Sequence, residues 1–346
     1  MSLYGKKTNI NTSSIYAIGG SGLSQALLLL AAPVLTRLYT PEEFGIFSVY
    51  IAVVSFLSMV VFLRYELAIP LSRSLTSTLS IFKVCLILGA VISLIILGVL
   101  HFLTEDVFQL LSNSEYYLPL WIIPAAALSL SLLNLCRFWL VKANRFDIIA
   151  LSRGSVSLLL LTVQLIGGWF KVGSFGLIAG HLIGNIITAI ALVAFVFRKY
   201  FFALRNIKLN SIKNVLIKYV NFPKYIVLSD SLLTLGAQAP AVVIASAYSV
   251  SQAGFFALAY RVALAPVVIL AESFGKVFMS RALILKRGQT LPFFVRSFYL
   301  VLVRIAIVPF LIIAFTATDL VLFVFGEGWG ESGSYIILLV PTVISI

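Results

Sequence analysis

Four arginines stand inside or at the ends of long apolar stretches, where a charge is costly unless it faces water, a counter-ion or a ligand. Arg261 and Arg304 fall well inside such stretches, Arg153 lies a few residues into one, and Arg64 follows another. Because a guanidinium binds phosphate through paired N–H groups, all four are candidates for binding a phosphate-bearing substrate. A structural ion pair or a misplaced span boundary remains open for Arg304. For Arg64, snorkelling with local pairing to Glu66, or a gate contact between two halves, remains open.

Two acidic residues are candidates for coupling transport to protons or sodium ions. Asp230 lies a few residues into an apolar stretch, and Glu272 lies near the end of another. A carboxylate inside a membrane is costly unless it is paired or protonated. A structural pair with an arginine such as Arg304 is the alternative for Asp230, and exposure to solvent is the alternative for Glu272.

Four further polar side chains fall inside apolar stretches: Gln25, Gln164, His181 and Asn185. Hydrogen bonds between helices are one interpretation of the amides, and contacts with sugar hydroxyls in a cleft are the other. His181 could titrate near neutral pH, or it could be a hydrogen-bonded packing residue.

Signatures of catalysis are absent from the sequence, which has no glycine-rich phosphate loop, no paired-acid motif and no metal-binding histidine motif. Cys85 and Cys136 lack metal-ligand spacing and are not predicted to form a disulfide. The net charge of +13 could indicate nucleic-acid binding in a soluble protein, but here the basic residues lie between apolar stretches. We therefore predict no enzyme, no cofactor, no metal and no nucleic-acid partner.

The elements that must position these residues are membrane-spanning helices. Of 346 residues, 61% are hydrophobic and only 11% are charged, with a mean hydropathy of +1.09. The stretch 45–63 shows the pattern, because at about 1.5 Å per residue it crosses a hydrocarbon core of about 30 Å. Ten spans are predicted, at residues 15–36, 45–63, 84–103, 116–136, 148–170, 172–197, 225–248, 254–271, 292–317 and 335–346.

Charge predicts the orientation and the division of the chain. Most of the 25 Lys and Arg residues fall in alternate connections, which places the N-terminus in the cytoplasm. The longest and most basic connection, residues 198–224, separates an N-terminal bundle of six helices at 1–206 from a C-terminal bundle at 207–346. Residues 207–220 have helical spacing of apolar positions. They predict a surface helix on anionic headgroups, with a nucleotide or protein dock as the alternative.

An internal repeat supports two related bundles. When the sequence is shifted by 209 residues, Tyr39, Gly45 and Phe47 coincide with Tyr248, Gly254 and Phe256. In each copy this segment joins the first span of a bundle to the second. The bundles then run in parallel, as in transporters with an axis along the membrane normal. A complete repeat would continue beyond Ile346, so we expect about ten spans of a probable twelve, with the second bundle truncated.

Several motifs resemble the Wzx-type polysaccharide flippases of the multidrug/oligosaccharidyl-lipid/polysaccharide exporter superfamily. They are R-L-Y-T-P-E-E-F-G-I-F at 37–47, L-R-Y-E-L-A-I-P at 63–70, N-F-P-K-Y at 221–225, A-G-F-F-A-L-A-Y-R-V at 253–262 and F-G-E-G-W-G-E-S-G at 325–333. The resemblance implies an all-α integral membrane fold, with two bundles around a central cleft.

The resemblance also implies a function. We expect translocation of undecaprenyl-diphosphate-linked oligosaccharide between the leaflets of the bacterial inner membrane, with a polysaccharide polymerase and a chain-length regulator as possible partners. A cation-coupled multidrug exporter is the main alternative, and it would favour acids over arginines in the cleft. A membrane-embedded polymerase or transferase is a further alternative, and it would require longer polar loops than this chain has.

Overall fold

The computed structural model describes residues 10–102, 119–264 and 291–345. These residues form helices joined by short connections, and the described ranges contain no β-strand. The helices are α1 (Ile10–Leu38), α2 (Pro41–Val61), α3 (Leu75–Phe102), α4 (Ile122–Lys142), α5 (Phe146–Trp169), α6 (Ser174–Arg205), α7 (Leu209–Lys218), α8 (Val227–Ala247), α9 (Val250–Leu264), α10 (Leu291–Phe325) and α11 (Glu331–Ser345).

Within the described residues, the apolar stretches predicted to span a membrane form helices in the predicted order. Parts of the predicted spans 84–103, 116–136, 254–271 and 335–346 fall outside the described residues. Six helices of the described residues are long and apolar enough to cross a membrane, and shorter apolar helices accompany them. The all-α membrane fold is thus confirmed, and the chain is a multi-pass membrane protein. Boundaries differ at α3, which begins at Leu75 and not at residue 84, and at α10, which runs on to Phe325. Lys83 is accommodated inside α3 because its Nζ donates to the carbonyl of Ile207, 3.4 Å away.

Helix α2 begins where the sequence places a complete start signal. The Thr40 hydroxyl accepts a hydrogen bond from the Glu43 amide at 3.3 Å, and the Glu43 carboxylate accepts one from the Thr40 amide at 2.7 Å. Pro41, which has no amide hydrogen to satisfy, occupies the first turn. This reciprocal cap fixes the entry of α2, which carries several residues of the candidate site.

Buried residues of α2 to α7 share one apolar core, whereas those of α1 belong to a second core that also includes residues of α9, α10 and α11. Helix α6 packs against α5 and α4, α5 against α1, and α2 against α4. The largest fully buried side chains of the core formed by α2 to α7 include Tyr50, Phe62, Phe82 and Leu135. Cys85 and Cys136 lie in this core as free thiols, as the sequence predicted. The division of the chain at residue 206 stays a prediction, and "lobe one" and "lobe two" below denote the helices before and after it.

The surface helix α7 lies where the sequence predicted a helix between the lobes. Its Val215 is buried against the core of lobe one, and its Leu216 carbonyl accepts a hydrogen bond from the Tyr65 hydroxyl at 3.2 Å. Lys213 and Lys218 are exposed on the opposite side. The helix is therefore docked by its apolar side and presents positive charge to its surroundings.

Connections lie at two ends of the helices. We call one the Trp329 end; it holds the α1–α2, α8–α9 and α10–α11 connections. The opposite Arg64 end holds the α2–α3, α4–α5 and α6–α8 connections. Between the ends, α2 of lobe one packs along α8 of lobe two, and α1 contacts α10. The contact of α2 with α8 is called the α2–α8 seam below.

Candidate functional site

A cavity of about 230 Å³ lies between the two lobes. It is lined by residues of α2, α8 and α9. Helix α2 begins within the first copy of the repeat, α8 ends just before the second copy, and α9 begins within the second copy. Ligand sites in proteins commonly measure about 300–1,000 Å³. The cavity is therefore in the place expected for a central cleft, and its volume is below this range.

Arg261 contributes the positive charge of the cavity lining. Its Nη2 donates a hydrogen bond to the carbonyl of Leu28 in α1 at 3.3 Å, which orients the guanidinium across the junction of the lobes. Among the described residues, no carboxylate lines the cavity or pairs with Arg261. An uncompensated guanidinium in a largely apolar cavity is suited to binding an anion.

Other lining residues offer hydrogen bonds and aromatic faces. The side chains of Gln238 and Tyr260 reach the cavity, and none of the described residues accepts or donates a hydrogen bond to them. Phe256 stacks on Tyr260 with ring centroids 5.7 Å apart. Amide and hydroxyl groups beside aromatic faces can serve the hydroxyl groups and the apolar faces of a sugar.

Two glycines of the repeat form a reciprocal helix crossing beside the cavity. A Cβ on Gly45 would overlap the carbonyl oxygen of Val250, and a Cβ on Gly254 would overlap the carbonyl oxygen of Pro41. Under the shift of 209 residues, Pro41 corresponds to Val250 and Gly45 to Gly254. The two contacts are therefore equivalent by a pseudo-twofold axis, and both require glycine because the backbones touch.

Trp329 fills the space between the lobes beside this crossing. Its side chain is 2% exposed, and its Nε1 donates to the carbonyl of Thr36 in lobe one at 2.9 Å. Its ring makes edge contacts with Phe44 of lobe one at 5.0 Å and Phe255 of lobe two at 6.0 Å. A Trp in a glycine-rich turn at the end of an apolar helix suits an anchor at the membrane interface, but the burial of Trp329 between the lobes excludes that role. The Trp329 end is closed by this residue in the described structure.

Tyr39 fixes the α1–α2 connection of lobe one at the closed Trp329 end. Its hydroxyl donates to the Gln164 carbonyl at 2.6 Å, and burial, with a smaller contribution from Glu43, raises the pKa of Tyr39 to about 12. The phenol therefore stays a protonated donor throughout the physiological range. Its equivalent in the repeat, Tyr248, is 79% exposed, so the two copies have diverged at this position.

Replacing Trp329 by alanine is expected to open the Trp329 end. Truncation of a buried Trp costs about 3–5 kcal/mol, and here the cost falls on the closed arrangement. A cysteine introduced at Ala32, which is 0% exposed, should then react with a membrane-impermeant maleimide faster than in the parent protein. Trp121→Ala, at an exposed Trp of the same end, is the matched control and should leave the rate unchanged. Equal rates in both variants would contradict a closing role for Trp329.

Arg64 and Asp230 are brought together from different lobes. Arg64 Nε lies 2.9 Å from Asp230 Oδ2, and Arg64 Nη1 lies 3.4 Å from Glu66 Oε1. Asp230 thus pairs with lobe one, and the predicted alternative of a pair with Arg304 is wrong. The gate contact considered for Arg64 agrees with this geometry.

The remaining charged candidates lie apart from the cavity. Arg304 is exposed in α10 and does not line the cavity. Arg153 is half-buried in α5, close enough to Arg137 for their charges to interact. Glu272 falls outside the described residues.

Three of the four polar candidates make internal contacts. Gln164 is buried and donates to the Leu177 carbonyl at 3.0 Å, which joins α5 to α6. His181 lies 3.3 Å from the Tyr50 hydroxyl through Nδ1 and 3.0 Å from the Asn185 amide through Nε2. These contacts match the packing interpretation. Gln25 is exposed on α1 and does not line the cavity.

Two features of the site escaped the sequence analysis. Gln238 and Tyr260 look like ordinary polar residues of a span, and nothing in the sequence indicates that they share a cavity. Away from the cavity, Arg137 lies inside α4 because the helix runs on to Lys142, and its buried Nε has no hydrogen-bond partner among the described residues. The repeat could have identified Gly45 and Gly254, since both copies carry glycine there.

Comparison with known proteins agrees with the geometry. The profile of the family described as "Polysaccharide biosynthesis protein" matches residues 34–334, which include both lobes and all residues described at the cavity. Searches of curated proteins and of solved structures find no match. Because the family profile covers most of its length, the chain belongs to the polysaccharide biosynthesis protein family, a family of transporter-like membrane proteins.

Proposed function

We propose that this protein is a flippase, which carries undecaprenyl-diphosphate-linked oligosaccharide from the cytoplasmic to the periplasmic leaflet by alternating access of its two lobes. The observation that supports this most directly is Arg261, whose guanidinium lies in a cavity between the lobes and has no carboxylate partner in the part of the chain that the structure describes. A diphosphate cannot cross hydrocarbon unless cations and polar groups replace its hydration.

The rest of the cavity lining fits a lipid-linked sugar. Gln238 and Tyr260 offer hydrogen bonds to hydroxyl groups, and Phe47 and Phe256 offer apolar faces. Among the described lining residues Arg261 carries the one charge, and a single positive charge among neutral groups favours a substrate that carries its negative charge in one place. A sugar chain joined to a lipid by a diphosphate has this distribution.

Alternating access is supported by the closed Trp329 end. The glycine crossing and Trp329 seal that end, while the cavity lies just beyond the crossing along α2 and α9. Access from that end requires the two helices to separate. The small volume of the cavity agrees with an arrangement that opens when substrate enters.

The orientation of the proposed transporter follows from its basic connections. The Arg64 end carries Arg73, Lys142 and the basic link that includes Lys213, so the positive-inside rule places it in the cytoplasm. The N-terminus then lies in the cytoplasm and the Trp329 end in the periplasm of a bacterial inner membrane. A polysaccharide polymerase and a chain-length regulator are the proposed partners at the periplasmic side.

The alternatives are less well supported. An exporter of cationic drugs would need an acid in the cavity, whereas the lining carries Arg261 and, among the described residues, no carboxylate. For an enzyme, the described residues offer no cluster of His, Cys, Asp and Glu that could hold a metal ion. Proton or sodium coupling through Asp230 or Glu272 stays a prediction.

Deletion of the gene in the native host tests the proposal. Lipid-linked repeat units should accumulate in the cytoplasmic leaflet, where they stay inaccessible to a glycan-binding protein added to the periplasmic side. Surface polysaccharide should fall in parallel and return when the gene is restored. Normal surface polysaccharide in the deletion strain, without accumulation, would show that the protein is not the flippase.

A further inference from the structure

The segment that carries Arg64 has an unusual backbone. Leu63 and Arg64 both have positive φ, at 49° and 60°, in the left-handed region that non-glycine residues rarely enter. Each such residue costs on the order of 1 kcal/mol and persists only when its surroundings require it. The turn is followed by a short 3₁₀ helix, Tyr65–Ala68, whose Tyr65 is held by the carbonyl of Leu216 in α7. The strained turn therefore holds Arg64 at a fixed place beside lobe two.

The opposite side of the contact is irregular as well. A π-helical turn, Phe222–Ile226, precedes α8 and contacts the 3₁₀ helix, and Asp230 follows one turn later. Single π turns occur frequently at functional sites. Two irregular segments, one from each lobe, thus meet at the Arg64–Asp230 pair.

The part-buried Arg64–Asp230 ion pair lacks an aligned hydrogen bond between Arg64 Nε and the carboxylate. Arg64 Nε and Asp230 Oδ2 are 2.9 Å apart, but the N–H is not aligned as a hydrogen bond, so the contact rests on charge. Burial raises the pKa of Glu66, and Oε2 of this residue has no hydrogen-bond partner among the described residues. Its Oε1 lies 3.4 Å from Arg64 Nη1. Arg64 therefore retains capacity for a ligand that presents two charged oxygens in better geometry.

The position of the pair gives it a role between the lobes. Arg64 follows α2, and Ile51 of the same helix lines the cavity about 20 Å away by the rise of a helix. The two side chains join the α2–α8 seam at the Arg64 end, whereas the glycine crossing joins the lobes at the other end. Breaking the Arg64–Asp230 pair therefore weakens the contact between the lobes at the Arg64 end, which the glycine crossing does not stabilise.

We infer that Arg64 and Asp230 form a latch between the lobes, which the diphosphate of a lipid headgroup opens by replacing Asp230 on Arg64. The identity of the anion rests on the proposed function. When the diphosphate binds, its negative charge repels Asp230, and the seam loses this ion pair while the contact of the 3₁₀ helix with the π-helical turn remains. Asp230 is then a positioning residue, since it holds Arg64 and the lobes until the anion arrives.

Spin labels across the seam test the latch in the full chain. Cysteines placed at the exposed positions Leu71 in lobe one and Tyr225 in lobe two carry the labels, because native Cys85 and Cys136 are buried. The protein is studied in phosphatidylcholine nanodiscs without anion, with added pyrophosphate, or with undecaprenyl diphosphate in the bilayer. The distance between labels should lengthen with either diphosphate, and the lipid form should act at the lower concentration.

Variants separate the latch from a structural contact. Asp230→Asn should lengthen the distance without anion and lower the midpoint for pyrophosphate roughly three- to tenfold, since the competing carboxylate is gone. Arg64→Asp combined with Asp230→Arg should restore the short distance. Arg145→Gln breaks the exposed pair of Arg145 with Asp147 inside lobe one and should change neither quantity.

Three results would overturn the inference. If Asp230→Asn kept both the distance between the labels and the midpoint for pyrophosphate of the parent protein, the pair would not be a latch. The exchanged pair could fail to restore the short distance although it folds and inserts. Pyrophosphate could lengthen the distance while undecaprenyl diphosphate does not, which removes the lipid as the opening ligand. The deletion experiment is independent of these labels, so failure of the latch and failure of the proposed function are distinguishable.

Discussion

Gly45→Ala is expected to prevent closure of the Trp329 end and to reduce export of surface polysaccharide by at least about tenfold. The added methyl group would overlap the carbonyl oxygen of Val250 and would lie 2.7 Å from its carbonyl carbon. Both atoms belong to the backbone of α9, so no side-chain rotation can relieve the contact. The lobes must separate at this point to accommodate alanine.

The size of the effect follows from the energy of the overlap. Inserting a methyl group into a well-packed contact costs about 1–3 kcal/mol. If that cost applies only when the end is closed, the ratio of closed to open molecules falls roughly 5- to 150-fold. A transporter that cannot close one end loses alternating access. Gly254→Ala should have the same effect, because its methyl group meets the Pro41 carbonyl in the equivalent position.

A matched glycine in the same region provides the control. A methyl group on Gly236 in α8 would meet no neighbouring atom within 4 Å, so Gly236→Ala should support export at the parental level. Labels at the exposed positions Glu42 and Tyr248 report the closure directly. The double variant of Gly45 and Gly254 should be little worse than either single variant, since one overlap already separates the helices. Normal closure in Gly45→Ala would show that the crossing is not required.

Much of the fold could be predicted because membrane spans are long and apolar in the sequence itself. The start of α2 was visible as well, since Thr40, Pro41 and Glu43 make a cap from neighbouring residues. The end of α10 was not visible. An apolar run that continues past Asp319 can belong to one long helix or to a helix and a loop, and only packing decides between them.

The site was harder to predict, because its contacts join residues far apart in the chain. A structural pair was one of the alternatives for Asp230, but sequence spacing cannot show that its partner, Arg64, comes from lobe one. The glycine-rich connection around Trp329 suits an interface anchor, whereas the burial of this residue depends on Phe44 and Phe255 from two other elements. A charge inside an apolar span selected both Arg261, which lines the cavity, and Arg304, which does not.

Arg261→Gln is expected to reduce export by one to two orders of magnitude while the protein still inserts and folds. Removing one member of a buried charge contact costs about 2–5 kcal/mol in binding, which corresponds to at least about tenfold in affinity. Glutamine keeps a donor for the Leu28 carbonyl, so the hydrogen bond to α1 need not be lost with the charge. Arg261→Lys keeps the charge but loses the paired N–H geometry, and it should retain an intermediate level of export.

Arg304→Gln is the matched comparison, because it removes the same charge from an exposed position that does not line the cavity. Export from each variant is measured as surface polysaccharide per molecule of protein in the membrane, so that different amounts of inserted protein do not affect the comparison. The series should run from parent through Arg261→Lys to Arg261→Gln, with Arg304→Gln near the parent. If Arg304→Gln lost as much export as Arg261→Gln, export would depend on the total positive charge of the protein and not on a positive charge in the cavity. If Arg261→Gln exported normally, the cavity would need another group to hold the diphosphate, and Arg261 would have only a packing role against α1.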